Sequence, residues 1–213
     1  MSTPQDPHDG LPVRRQGPPP AEARLAVILV HGRGGSAADL LALAREFETE
    51  DVLYAAPSAA GNSWYPYSFL TPMDRNEPGL SSGLRAIGTL METLAGEGLP
   101  PSRVALLGFS QGACLSLEYA ARHAQRYAAV IGLSGGLIGP PGTPRDYAGS
   151  LAGTPVFLGC SDVDPHIPVE RVRESAEVFG RLEAVVDERI YPRLGHTVNE
   201  DEIAAVRALL SRR

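Results

Sequence analysis

Lysine is missing from this chain, so its 19 basic residues are all arginine. They are scattered, and 25 acidic residues outnumber them to give a formal net charge of −6. That balance removes the electrostatic reason to expect nucleic acid as a partner. The arginine excess reads as codon usage and not as a binding surface. Cysteine is almost as scarce: Cys114 falls in a helical pattern and Cys160 ends a strand-like run. Small buried thiols in a reducing compartment fit this placement better than a disulfide does. No apolar stretch approaches the length of a membrane span, which excludes stable membrane insertion by a helix. The opening MSTPQDPHDGLPVRRQGPPP lacks the apolar core of a secretory signal. Together these absences point to the cytoplasm.

What is present suits one folded domain. A chain of 213 residues with 43% hydrophobic and 21% charged residues can bury a sizeable core. Residues 1–24, rich in proline and polar groups, are expected to form a loose arm with a short strand near 11–15. Residues 25–213 form the domain proper, in which two kinds of segment alternate. Short runs of Val, Ile and Leu fall at 25–30, 52–55, 104–108, 129–133, 156–159 and 185–191. Helical spacing fills 37–48, 79–95, 111–123, 169–182 and 199–210. Continuous apolar runs are the mark of strands covered on both faces. Their alternation with helices predicts an α/β fold with a mostly parallel, doubly wound sheet and helices on both faces. Pro168 is expected in the first turn of its helix, and Asn199 with Glu202 reads as a capping box.

Ligands of such a sheet bind outside the carboxyl ends of its strands, and one motif sits there. Gly108-Phe109-Ser110-Gln111-Gly112 follows a strand pattern and opens a helical one. A strand-to-helix elbow strains the serine backbone, keeps glycines close by and projects Oγ at the top of the sheet. The helix beginning beneath it favours negative charge there. Ser110 is therefore the candidate nucleophile, against a plain glycine turn. A tetrahedral intermediate also needs donors for its oxyanion. The backbone N–H of Gln111 supplies one, and that of Arg33, in the glycine-rich loop Val30-His31-Gly32-Arg33-Gly34-Gly35, supplies the other. His31 is expected to fix backbone by hydrogen bonding. The Arg33 side chain is expected to face solvent or pair with Asp39, with binding of an anionic substrate group as the alternative.

A serine hydroxyl needs a base, and the base needs a carboxylate to hold its tautomer. Where a serine elbow tops a sheet, the chain order is serine, acid, histidine. His8 and His31 precede the serine. His123 falls near the far end of the helix that Ser110 begins, roughly 18 Å away at 1.5 Å per residue. His166 and His196 remain, and His196, in a loop after the last strand pattern, is the better placed. For the acid, Asp162 and Asp164 both follow the strand at 156–159. Pro165 gives Asp164 a rigid exit from its loop, but spacing leaves the choice open. A metal held by Asp162, Asp164 and His166 has only their alternation in its favour, so no metal and no cofactor is expected.

The set VHGRGG, GFSQGA, SDVDPHIP and GHTVNEDEI resembles the phospholipase/carboxylesterase family of α/β-hydrolases, in the family's order, from about residue 25 to about 210. The resemblance implies the α/β-hydrolase fold. It also implies a serine nucleophile at Ser110, the acid at Asp164 rather than Asp162, and the base at His196. The family's oxyanion donors match Gln111 and Arg33, although an apolar residue is more usual at the Arg33 position. Dienelactone hydrolases share the fold but resemble this chain less, since their nucleophile is usually cysteine.

The aromatic stretch 59–78 is expected to roof an acyl site, with Trp64, Tyr65, Phe69 and Leu70 lining it, against the alternative that these side chains only anchor their loop. A roof this short favours short or medium acyl esters. The expected partner is a small-molecule ester substrate, and a homodimer is compatible with the sequence. Acyl-protein thioesterase or lysophospholipase activity is the nearest alternative. A hydrolase fold reused for binding without catalysis is a distant one.

Overall fold

Five of the strands carry no charged residue, and each is buried along its length except for the half-buried Phe109 that ends β4: β2 (Leu25–Val30), β3 (Val52–Pro57), β4 (Val104–Phe109), β5 (Ala129–Leu133) and β6 (Pro155–Ser161). Such sequences satisfy their backbone only inside a sheet covered on both sides. The computed structural model describes residues 6–212 and places them there. The sheet has seven strands in the order β1-β3-β2-β4-β5-β6-β7, with β1 (Val13–Gln16) and β7 (Val185–Tyr191) at its edges. Every pairing is parallel except that of β1 with β3.

Helices α1 (Ala37–Ala44) and α5 (Glu200–Leu210) cover one face of the sheet. Helices α2 (Gly79–Gly96), α3 (Gln111–Arg122) and α4 (Val169–Arg181) cover the other. Two apolar layers result, one on each side. Each fully buried Leu, Ile or Val in them contributes about 1.5–3 kcal/mol. The α/β-hydrolase architecture expected from the sequence is the one observed.

Three details differ from the sequence expectations. The run at 185–191 is an edge strand, not one buried on both faces: Val185 is 63% exposed. Asp187, Glu188 and Arg189 interrupt its apolar pattern, and charge on an edge strand discourages pairing with another molecule. Pro168 is the N-cap of α4, one place before its first turn. The arm is not loose where it is described; residues 1–5 lie outside the described residues. Asp6 pairs with Arg85 at 2.8 Å. His8 is buried, with its ring against Trp64 at 5.2 Å. Its Nδ1 accepts from the Ala60 N–H at 3.0 Å, so Nε2 carries the proton and donates to the Trp64 carbonyl at 2.9 Å. These long-range contacts offset the chain entropy that a proline-rich arm would otherwise keep.

The capping box expected at Asn199 is present. Glu202 Oε2 accepts from the Asn199 N–H at 2.9 Å, and Asn199 Oδ1 accepts from the Glu202 N–H at 2.9 Å. Glu202 Oε1 is buried without a partner among the described residues. It lies so near Gly159 that a Cβ added there would come within 2.2 Å. Burial pushes the Glu202 carboxyl up to about 7, against the hydrogen bond from Asn199.

Candidate active site

Strand β4 lies between β2 and β5, at the middle of the sheet, and turns sharply into α3. Ser110 occupies that turn with φ 56° and ψ −120°, in the region that side chains rarely adopt. The glycines of the motif are there for space. A Cβ on Gly108 would lie 2.2 Å from the Gly112 carbonyl oxygen, and one on Gly112 would lie 2.0 Å from that of Val30. The Ser110 N–H donates to the Leu133 carbonyl at 2.9 Å, which ties the elbow to β5.

Two later loops close on the serine. His196, between β7 and α5, brings Nε2 to 2.8 Å from Ser110 Oγ, and its Nδ1 lies 2.7 Å from Asp164 Oδ2. Asp164, in the loop after β6, also accepts through Oδ1 from the N–H groups of His166 at 2.9 Å and Ile167 at 3.0 Å. Burial works to raise the Asp164 carboxyl. The bonds from His196, His166 and Ile167 outweigh it and hold the group below the usual carboxylate range. An ionised Asp164 requires the proton on Nδ1, which leaves Nε2 free to accept from the Ser110 hydroxyl.

The competing residues go elsewhere. Asp162 accepts from the Arg193 N–H at 2.7 Å and so shapes the loop that carries His196. The His166 ring stands edge-on to His196 at 4.9 Å. His123 lies at the far end of α3, where Nδ1 meets the Tyr119 carbonyl. His31 is fully buried: Nε2 accepts from the Ala59 N–H at 3.2 Å, so Nδ1 donates to the Gly32 carbonyl at 2.8 Å. Burial pushes the His31 pKa down, which keeps it a neutral strut. Among the described residues no three His, Cys, Asp or Glu side chains are grouped to hold a metal ion.

The Arg33 and Gln111 backbone N–H groups flank the elbow, and neither has a hydrogen-bond partner among the described residues. Gln111 has a second role that sequence reasoning missed. Its side-chain Oε1 accepts from the Trp64 N–H at 2.9 Å and its Nε2 donates to the Tyr65 carbonyl at 2.8 Å, holding the roof against the start of α3. The Arg33 side chain is exposed, as expected, but does not pair with Asp39. It donates to Ser63 Oγ at 3.1 Å and to the carbonyls of Pro66 at 2.8 Å and Tyr67 at 2.7 Å. Asp39 is consumed by the capping box with Ser36 at the start of α1.

A cavity of about 620 Å³ opens over Ser110, Gln111 and His196. Of the four residues expected to line it, Tyr65 and Phe69 do and Trp64 and Leu70 do not. Trp64 is fully buried, with Nε1 donating to the His31 carbonyl at 2.9 Å. Leu70 packs onto the core. Phe109, Cys114 and Ile167 line the wall instead. Phe109 sits inside the elbow motif and Ile167 inside SDVDPHIP, but neither motif says which side chain faces the cavity. Burial pushes the Cys114 thiol up to about 12, which makes it a wall and not a second nucleophile.

A family model described as phospholipase/carboxylesterase matches residues 17–212. The fold is similar to that of a phospholipase/carboxylesterase from Dyadobacter fermentans, with 38% identity, a TM-score of 0.91, and coverage of 100% of this chain and 99% of that one. It is also similar to esterase PE8, with 25% identity, a TM-score of 0.79, and coverage of 94% and 97%. By sequence it is similar to acyl-protein thioesterase 1 of Gibberella zeae, 29% identical over 144 residues; that match spans 64% of this chain and 60% of the thioesterase's own length.

Proposed function

For a chain that belongs to the phospholipase/carboxylesterase family, and is thereby a carboxylic ester hydrolase, we propose that Ser110, His196 and Asp164 carry out the hydrolysis through an acyl-enzyme. Ser110 Oγ attacks the ester carbonyl carbon while His196 Nε2 takes its proton. The carbonyl oxygen becomes an oxyanion and receives the N–H groups of Arg33 and Gln111. Collapse of the tetrahedral intermediate breaks the bond to the alcohol oxygen, which leaves with the proton from His196. Water then enters, gives a proton to Nε2 and attacks the acyl carbon. A second collapse frees the acid and returns the proton to Ser110. Asp164 stays ionised throughout and stabilises the imidazolium at each stage.

The observation that carries this reading is the continuous relay from Ser110 Oγ to His196 at 2.8 Å and from His196 to Asp164 at 2.7 Å, above an elbow whose two N–H donors are unengaged. A cavity of about 620 Å³, walled by Phe69, Phe109 and Ile167, suits an acyl group of short to medium length. The test is labelling with a fluorophosphonate followed by peptide mass mapping. The expected result is a single adduct on Ser110; an adduct elsewhere, or none from an active sample, would refute it. Similarity to the Gibberella zeae thioesterase supports a second reading, hydrolysis of thioesters on acylated proteins. A kcat/KM on an acyl-protein thioester equal to or above that on small esters would favour it.

A further inference from the structure

Among the polar groups of the cavity wall that the proposed reaction does not use, two stand side by side. The first is the Arg33 guanidinium. It pairs with no carboxylate among the described residues, and its bonds to Ser63, Pro66 and Tyr67 use both hydrogens of Nη1 and one of Nη2. The Nε–H and the other Nη2–H remain, a pair suited to gripping a carboxylate in bidentate fashion. The second is the Tyr65 hydroxyl. It is buried, and among the described residues the one group beside it that could bond it is the Cys114 thiol, a weak partner. A buried hydroxyl so poorly satisfied is costly unless something arrives to accept from it. The two lie together: the guanidinium carbon stands 5.9 Å over the Tyr65 ring, and both residues line the cavity that holds Ser110.

The charge around them is one-sided. Among the described residues no Asp or Glu lines this cavity. The nearest catalytic carboxylate, Asp164, is wholly buried behind His196. A protein with a formal net charge of −6 thus presents a guanidinium and no carboxylate to its substrate. Arg33 itself is exposed, so salt can screen it, while Phe69, Phe109 and Ile167 give the cavity beside it apolar walls.

We propose that the preferred substrates are esters bearing a second, free carboxylate, which Arg33 and the Tyr65 hydroxyl bind in the cavity beside Ser110. This rests on the Ser110 reading above and specifies the substrate class of that site. Arg33 then serves twice, with its backbone N–H toward the oxyanion and its side chain toward the remote carboxylate.

The test compares mono-4-nitrophenyl adipate with its methyl-capped diester, following nitrophenolate release. The wild-type protein should show the higher kcat/KM on the free acid, and that preference should shrink as salt is raised. Arg33→Gln should lower the ratio of the two kcat/KM values by about tenfold, Arg33→Lys should retain part of it, and Tyr65→Phe, which removes only the buried hydroxyl beside Cys114, should lower it in the same sense. Emission from Trp64 reports whether each variant is folded. A wild-type ratio below one, a ratio indifferent to salt, or equal falls on both esters in Arg33→Gln and Tyr65→Phe would overturn the proposal while leaving the Ser110 reading intact. Hydrolysis of both esters retained by Ser110→Ala would overturn both.

Discussion

Replacing Glu202 by glutamine should flatten one part of the protein's pH–stability curve. The carboxyl keeps one oxygen in the capping box and buries the other without a partner. Its pKa is accordingly raised from an ordinary 4.5 to about 7. A raised folded-state pKa means that the native protein binds the proton more tightly than the unfolded chain does. This contribution is therefore fully present below about pH 4.5, declines as the pH rises, and is lost above about pH 7. At about 1.36 kcal/mol per pKa unit, the ionised form costs roughly 3 kcal/mol. Between pH 5 and pH 8 the wild type should lose roughly 2–3 kcal/mol from this one group. Glutamine keeps the acceptor for the Asn199 N–H and cannot ionise. Urea unfolding followed by the single tryptophan, Trp64, at pH 5 and pH 8 measures the difference. The depressed carboxyls of Asp6, Asp164 and Glu174 drive stability the opposite way with pH, but they are common to both proteins and cancel. A stability gap between variant and wild type that is the same at both pH values would refute the reasoning.

Three further outcomes follow from the site. Ser110→Ala should lower kcat by about 10⁴- to 10⁶-fold with KM little changed, and retention of a tenth of the activity in a steady-state assay would exclude Ser110 as the nucleophile. Asp164→Asn should lower kcat by about 10⁴-fold while leaving the fold intact by circular dichroism, because the amide favours the wrong imidazole tautomer; a loss under tenfold would point to another acid. Gly112→Ala puts a methyl 2.0 Å from the Val30 carbonyl oxygen, so both Tm and fluorophosphonate labelling should fall, and an alanine variant with wild-type Tm would contradict the packing described.

The strands and helices were legible because each announces itself locally. An uncharged run such as LAVILV has one stable home, and Asn199 with Glu202 marks a helix start within four residues. The elbow and its partners were legible because backbone geometry demands glycine at Gly108 and Gly112, whatever the rest of the chain does. The parts that were not legible depend on groups far apart in sequence. His8 is buried because Trp64, 56 residues later, offers it a carbonyl and a ring. The Arg33 side chain turned toward 63–67 because three acceptors lie across from it there, while Asp39 was already spent on its own helix. Trp64 and Leu70 carry the composition of a pocket lining but face the core. An aromatic stretch does not reveal which of its faces will be wet.

The anchoring of His8 bears on how the protein should be handled. The residue grips both sides of the segment from Ala60 to Trp64, from which Tyr65 and the rest of the ceiling over the serine are hung. A shortened version, trimmed to remove what reads as a dispensable proline-rich leader, would take a tie-beam out of that ceiling while leaving every residue of the relay in place. Loss of activity in such a version would indicate a sagging roof, not a missing catalytic group.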